Sequence, residues 1–206
     1  MLGNNAGKAK HRRKQEKNSS GIKDRTFTHM NGNQLVAVGY TWYPTGETKE
    51  LCLLPVNIHL EPIMVPMVTR IRSDTVILDE GIDREIVQDA VSDWFNTMRL
   101  PYGKKMILLV WNAVRFHKDF NELVDTEFEY IVHEYKCLQQ IAHFANDLAI
   151  ERGEPAPYPK DNLLSSASRA MGDEYMEECK NDAAYRALIT GKLYKKILTE
   201  KRTMWT

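Results

Sequence analysis

Apolar and polar positions change period several times along this chain, and each change predicts an element. Residues 34–43, QLVAVGYTWY, are rich in β-branched and aromatic residues and predict a strand. Pro44, Thr45 and Gly46 supply turn chemistry, with glycine free to take a positive φ, and residues 50–58, ELCLLPVNI, predict a second strand folded back as a hairpin. Pro55 has no N–H to give a ladder, so it belongs at an edge or a bulge. Pro62 and Pro66 interrupt the next apolar residues, predicting an irregular extended stretch, and residues 70–78 hold a third candidate strand.

The period then lengthens. Ile82, Ile86, Val87, Ala90, Val91, Trp94, Phe95 and Met98 recur at helical spacing, with Asp79 or Asp83 as the cap, and Pro101-Tyr102-Gly103 closes the helix. Residues 105–111, KMILLVW, show no polar alternation, the mark of a central strand covered on both faces. Asn112 stands where it caps a helix over 114–124. Residues 127–133 predict another short strand and 135–152 an amphipathic helix stopped by Gly153. Three prolines, Pro155, Pro157 and Pro159, stiffen the following loop. Asp161 is then the expected cap of a helix over 162–171 that ends at Gly172. The final helix, 180–196, reads KNDAAYRALITGKLYKK. Its apolar stripe includes Ala183, Ala184, Ala187, Leu188 and Leu193, and the alanines let it lie close against a sheet.

A hairpin first, then strand and helix in alternation, predicts an α/β fold: a mixed β-sheet flanked by helices. The 206 residues suit one such domain with appendages. P-loop, GxGxxG and GxSxG patterns are absent from the sequence. The longest apolar run, Met106 to Trp111, is too short to cross a bilayer, and no apolar stretch follows the basic N-terminal residues, which predicts no membrane association and no signal peptide. Cys52, Cys137 and Cys179 are odd in number and form no CxxC pair, which predicts a reducing, cytoplasmic setting.

Net charge is zero, but unevenly spread. Residues 1–26 carry Lys8, Lys10, Arg12, Arg13, Lys14, Lys17, Lys23 and Arg25 against Glu16 and Asp24, a balance of +6, so residues 27–206 carry −6. The expected organisation is a flexible basic arm over 1–26 and a globular domain over 27–206. A basic arm on an acidic body suits contact with phosphates, since each neutralised phosphate releases condensed counterions. A solvated tail that aids solubility accounts for the arm equally well. It has no aromatic residue before Phe27, so base stacking is not expected there.

Three segments, ILLVWNAVRF, LLSSASRAMG and NDAAYRALITGKLY, occur in the order and spacing of a known pattern. Across residues 34–198 the chain resembles the DEDD-type 3′→5′ exonucleases, the proofreading-subunit-like branch of the ribonuclease H-like fold. The resemblance implies that fold. It also implies a site in which four carboxylates hold two divalent metals roughly 4 Å apart while a histidine takes a proton from water. Aligned residue by residue, this chain has Thr41 and Tyr43 at the first-strand acids and His117 near the middle one. In the last motif it has Asn181 for the histidine and Arg186 for the aspartate. An arginine at the centre of a two-metal site repels cations. The expectation is a degenerate site with no catalytic residue, no bound metal and no cofactor.

Two function classes follow. The first is a pseudo-exonuclease that binds single-stranded nucleic acid or its phosphate backbone through Lys8, Lys10, Arg12, Arg13, Lys14, Lys17 and Arg186, with His117 as a further phosphate contact, or that serves a protein partner in a phage or viral assembly. The second is an active Mg²⁺- or Mn²⁺-dependent exonuclease with a rearranged site that draws oxygens from Glu47, Glu50, Asp119 or Asp182. Those acids read more simply as surface groups. His117, His133 and His143 lack metal-ligand spacing. Trp42, Tyr43 and Trp111 could form a stacking platform, although core packing is the plainer expectation. Cys179 beside Lys180 reads as an unreactive thiol.

Overall fold

The computed structural model describes residues 34–76, 80–98, 106–121, 123, 132–158 and 162–204. The basic arm, Asp79, Asp161 and the candidate strand residues 127–131 lie outside the described residues, as do the side chains of Asp119 and His133.

Five strands form one mixed sheet in the order β3-β2-β1-β4-β5. β1 (Gln34–Trp42) pairs antiparallel with β2 (Thr48–Val56), and β2 pairs antiparallel with β3 (Met67–Arg70). On its other side β1 runs parallel to β4 (Met106–Val110), which runs parallel to β5 (Val132–Cys137). The helices are α1 (Arg84–Thr97), α2 (Ala113–Asn121), α3 (Leu138–Glu151), α4 (Leu163–Met171) and α5 (Ala183–Met204). This is the mixed, helix-flanked sheet that the alternation of periods predicts. Among the described residues no helix is long and apolar enough to cross a membrane.

Strand alternation divides the core into two layers. Leu35, Ala37, Cys52, Leu54, Ile107 and Leu109 face α3 and α5, where Leu138, Ala142, Ala183, Ala187, Leu193 and Ile197 meet them. Val36, Val38, Leu51, Leu53, Met106, Leu108 and Val110 face α1 and α2, against Val87, Val91, Phe95, Phe116 and Phe120. All five side chains of β4 are 0% exposed, as a strand covered on both faces requires. At Gly39 the backbone of α5 comes so near that an added Cβ would stand 2.1 Å from Ala183 O and 2.2 Å from Ala187 N. The alanine-rich stripe of α5 is therefore matched by a glycine in the strand beneath it.

Several boundaries differ from expectation. The third strand lies at Met67–Arg70, not 70–78; beyond it Ile71 donates its N–H to Lys49 O at 2.8 Å and forms an isolated bridge with Ile82. Pro55 sits in an inner strand, but β3 pairs only with residues 50–53; beyond them that side of β2 meets just an isolated bridge from Val56 to Pro62, with Ile63 N–H donating to Pro55 O at 3.1 Å, so no regular ladder asks Pro55 for an N–H. β5 continues to Cys137, because Tyr135 and Cys137 extend the parallel ladder opposite Leu108 and Val110. With no turn residue between them, β5 passes straight into α3, which starts at Leu138 instead of 135. Asp83 occupies the cap position of α1, its carbonyl accepting Val87 N–H at 3.1 Å, but its side chain makes no cap bond; the carboxylate accepts from Arg72 Nη1 at 2.7 Å instead. Asn162, and not Asp161, caps α4 through Leu164 N–H at 2.8 Å. α5 begins at 183, after a turn that occupies the expected first residues, and runs on to 204.

Candidate nucleic-acid interface

The ends of three elements meet beside the last residues of β1. Asn112 caps α2 by accepting Arg115 N–H at 2.9 Å, as its place at the end of β4 predicts. Asp182 caps α5 by accepting the N–H groups of Ala184 and Tyr185 at 2.7 and 3.1 Å. These caps fix the first turns from which Arg115 and Arg186 extend. The guanidinium of Arg115 stands 5.1 Å from the centroid of the Trp42 ring and that of Arg186 at 5.4 Å, one reaching from each helical layer. Tyr40 packs edge-on against the same indole at 4.7 Å.

Backbone carbonyls hold both arginines. Arg115 Nη2 donates to Gly46 O in the hairpin turn, where Gly46 takes φ 90°. Arg186 Nε donates to Lys180 O at 2.7 Å and Nη1 to Tyr40 O at 3.3 Å. Burial pulls the Arg186 guanidinium below the ordinary arginine range, while the nearby phenols of Tyr175 and Tyr40 act in the opposite direction. The turn itself is tied down by Glu47, whose carboxylate accepts Thr45 Oγ1 at 3.0 Å, Thr75 Oγ1 at 2.8 Å and the hydroxyl of Ser73. The Ser73 and Thr75 bonds lower the Glu47 pKa.

The residues singled out from the sequence are not all brought together. Arg186 reaches the end of β1, but its aromatic partner is Trp42. Thr41 is buried and donates to Glu50 Oε2 at 3.4 Å. Tyr43 is buried too, its hydroxyl donating to Ile71 O at 2.9 Å, and Trp111 belongs to the core, so neither joins Trp42 in a platform. His117 lies edge-on against Tyr135 at 4.4 Å, toward β5. Asn181 is exposed in the turn before α5. Arg115 was not among the sequence candidates. Its only local signal is its place three residues after the capping asparagine.

The pair of divalent metals that this kind of fold implies does not fit the described side chains. Around Trp42 stand two guanidiniums, Asp182 is committed to its helix, and Glu50 is engaged by Thr41. Among the described residues no three His, Cys, Asp or Glu side chains come together in a group that could hold an ion.

With this geometry, the chain superposes on solved structures of Exonuclease I from E. coli. The complex with a dT13 oligonucleotide matches with a TM-score of 0.54 at 11% identity, over 84% of this chain and 42% of that one. The zinc-bound form with single-stranded DNA gives 0.53 at 14% identity, over 82% and 41%. The complex with a 5cy-dT13 oligonucleotide gives 0.50 at 12%, again over 82% and 41%. The fold is exonuclease-like. The chain spans less than half the length of Exonuclease I, and at these identities the likeness is one of fold. No protein-family model and no curated protein sequence matches.

Proposed function

We propose that this chain is a catalytically degenerate relative of the DEDD-type 3′→5′ exonucleases that binds single-stranded nucleic acid at the end of β1. The observation that carries the reading is the meeting of Arg115, Trp42 and Arg186, an indole with two cations against it, where the resemblance leads one to expect acids. Indoles stack on bases regardless of sequence, and guanidiniums match phosphate geometry. The neighbouring fold supports the reading, since the Exonuclease I structures hold single-stranded DNA. The arm residues Lys8, Lys10, Arg12, Arg13, Lys14 and Lys17 would add sequence-independent affinity. A protein partner, in a phage or viral assembly or elsewhere, is a separate role that no observed surface favours over this one.

The test uses an end-labelled single strand with the full chain in Mg²⁺ and in Mn²⁺. The expected result is retention without shortening, with affinity falling as salt rises and a flatter salt slope when Arg12, Arg13 and Lys14 are replaced together. Shortening of the strand that disappears in both Asp119→Asn and Asp182→Asn would instead establish an active, metal-dependent exonuclease with a rearranged site. Retention that is indifferent to salt would remove the phosphate contacts from the reading.

A further inference from the structure

Arg186 is half-buried, and its described hydrogen bonds go to two neutral acceptors, Lys180 O and Tyr40 O. No described carboxylate pairs with it; the titratable groups that act on it are phenols. Asp182, one turn earlier, spends its Oδ1 on its own helix. A guanidinium has five N–H donors in a planar fork, so two carbonyl bonds fix its position and leave donors over. It thus keeps its charge for an anion while its orientation is already set. Trp42 lies against it, and Arg115 adds a second positive charge from across an exposed turn.

We propose that Arg186 holds one phosphate of the strand and Trp42 the adjoining base, so that the site recognises a nucleoside monophosphate unit without any divalent cation. The inference rests on the function proposed above. It follows from the misfit between the described side chains and a metal pair: the positive charge that ions would bring to the phosphate is supplied by the chain itself. Arg115, held over the turn by Gly46 O, shares the indole with Arg186 and adds its charge beside the bound phosphate. The shared donor geometry of a guanidinium and a phosphate makes the contact a charge-assisted one.

The full chain is titrated with thymidine 5′-monophosphate and with thymidine, each in EDTA and in Mg²⁺, with a labelled oligothymidylate run alongside. The monophosphate is expected to bind equally in both buffers, to within about twofold, and thymidine about tenfold more weakly or worse. R186Q should lose about tenfold or more in monophosphate affinity, and R186K should recover part of it. W42L leaves both carbonyl anchors of Arg186 in place and should also weaken the monophosphate by about tenfold. It decides the matter if R186Q does not fold. Binding abolished by EDTA, thymidine bound as well as its monophosphate, or a folded W42L that binds unchanged overturns the inference. If the oligothymidylate is still retained in those cases, the nucleic-acid reading stands without it. If the oligothymidylate is not retained either, both fall.

Discussion

Replacing Gly39 by alanine probes the tightest approach between the sheet and α5. The new methyl carbon would lie 2.1 Å from Ala183 O, 2.2 Å from Ala187 N and 2.9 Å from Ala187 Cα. All three are backbone atoms, so no side chain can rotate out of the way. Restoring ordinary contact at about 3.4 Å requires α5 to retreat by roughly 1 Å from β1, since packed interiors tolerate little overlap. That movement would loosen the buried contacts of Ala183, Ala187, Leu193 and Ile197 along the same face. Overpacking of a well-packed core costs about 1–3 kcal/mol, and a rigid obstacle puts this case at the upper end, about 3 kcal/mol. For a chain of this size that is a fall in Tm of about 6–12 °C. Thermal and urea unfolding followed by far-ultraviolet circular dichroism measures it. Gly191→Ala is the matched control, because its added carbon would meet nothing nearer than Ala37 Cβ and Leu60 O, both at 3.8 Å. Alanine is the better helix former, so that variant should be unchanged or more stable by up to about 1 kcal/mol. A Gly39→Ala protein within about 1 kcal/mol of the parent, or a Gly191→Ala protein that falls as far, would refute the reasoning.

Three further outcomes are expected. Asn146 is fully buried, accepts Tyr158 N–H at 2.8 Å and donates to Tyr158 O, so Asn146→Ala strands both backbone groups and should cost about 2–4 kcal/mol in urea unfolding. Glu47 has a lowered pKa in the folded chain, so the unfolded chain binds more protons; the stabilisation is present above about pH 4.5 and fades as the pH falls through the folded value. Glu47→Gln should therefore flatten the acid limb of a stability–pH profile, and an unaltered limb would contradict the Ser73 and Thr75 bonds. Burial raises the Cys52 thiol to about 12, so in folded protein at pH 8 Cys52 should resist a thiol reagent that labels it once urea is added, as mass spectrometry of the peptides would show.

Local pattern was enough to reveal β1, β4, α1 and α5, because each is long or strongly periodic and its burial follows from its own residues. Where two elements abut without a turn residue, the pattern blurs: Tyr135 and Cys137 fit a strand or a helix by period alone, and only pairing with Leu108 and Val110 assigns them to β5. β3 was misplaced for a related reason, since an edge strand of four residues owes its existence to its partner in β2. The resemblance of the last helix to a known motif drew attention to Arg186. Its meeting with Trp42 and Arg115 could not, because those side chains come from elements joined only through the register of the sheet. Gly39 looked like one more strand residue until the opposing helix showed why no side chain fits there.

Tyr40 and Arg186 are joined by a hydrogen bond although 146 residues separate them in sequence. The lid over one side of the sheet is thus made from chain far downstream of the strands it covers. Such distant closure makes for slow folding, because the entropy of a long loop must be lost before the contact rewards it. A truncation that removes α5 would leave Leu35, Ala37, Cys52 and Leu54 facing water as a broad greasy plate beside open strand edges. Such a fragment should clump instead of persisting as a smaller, soluble version of the molecule.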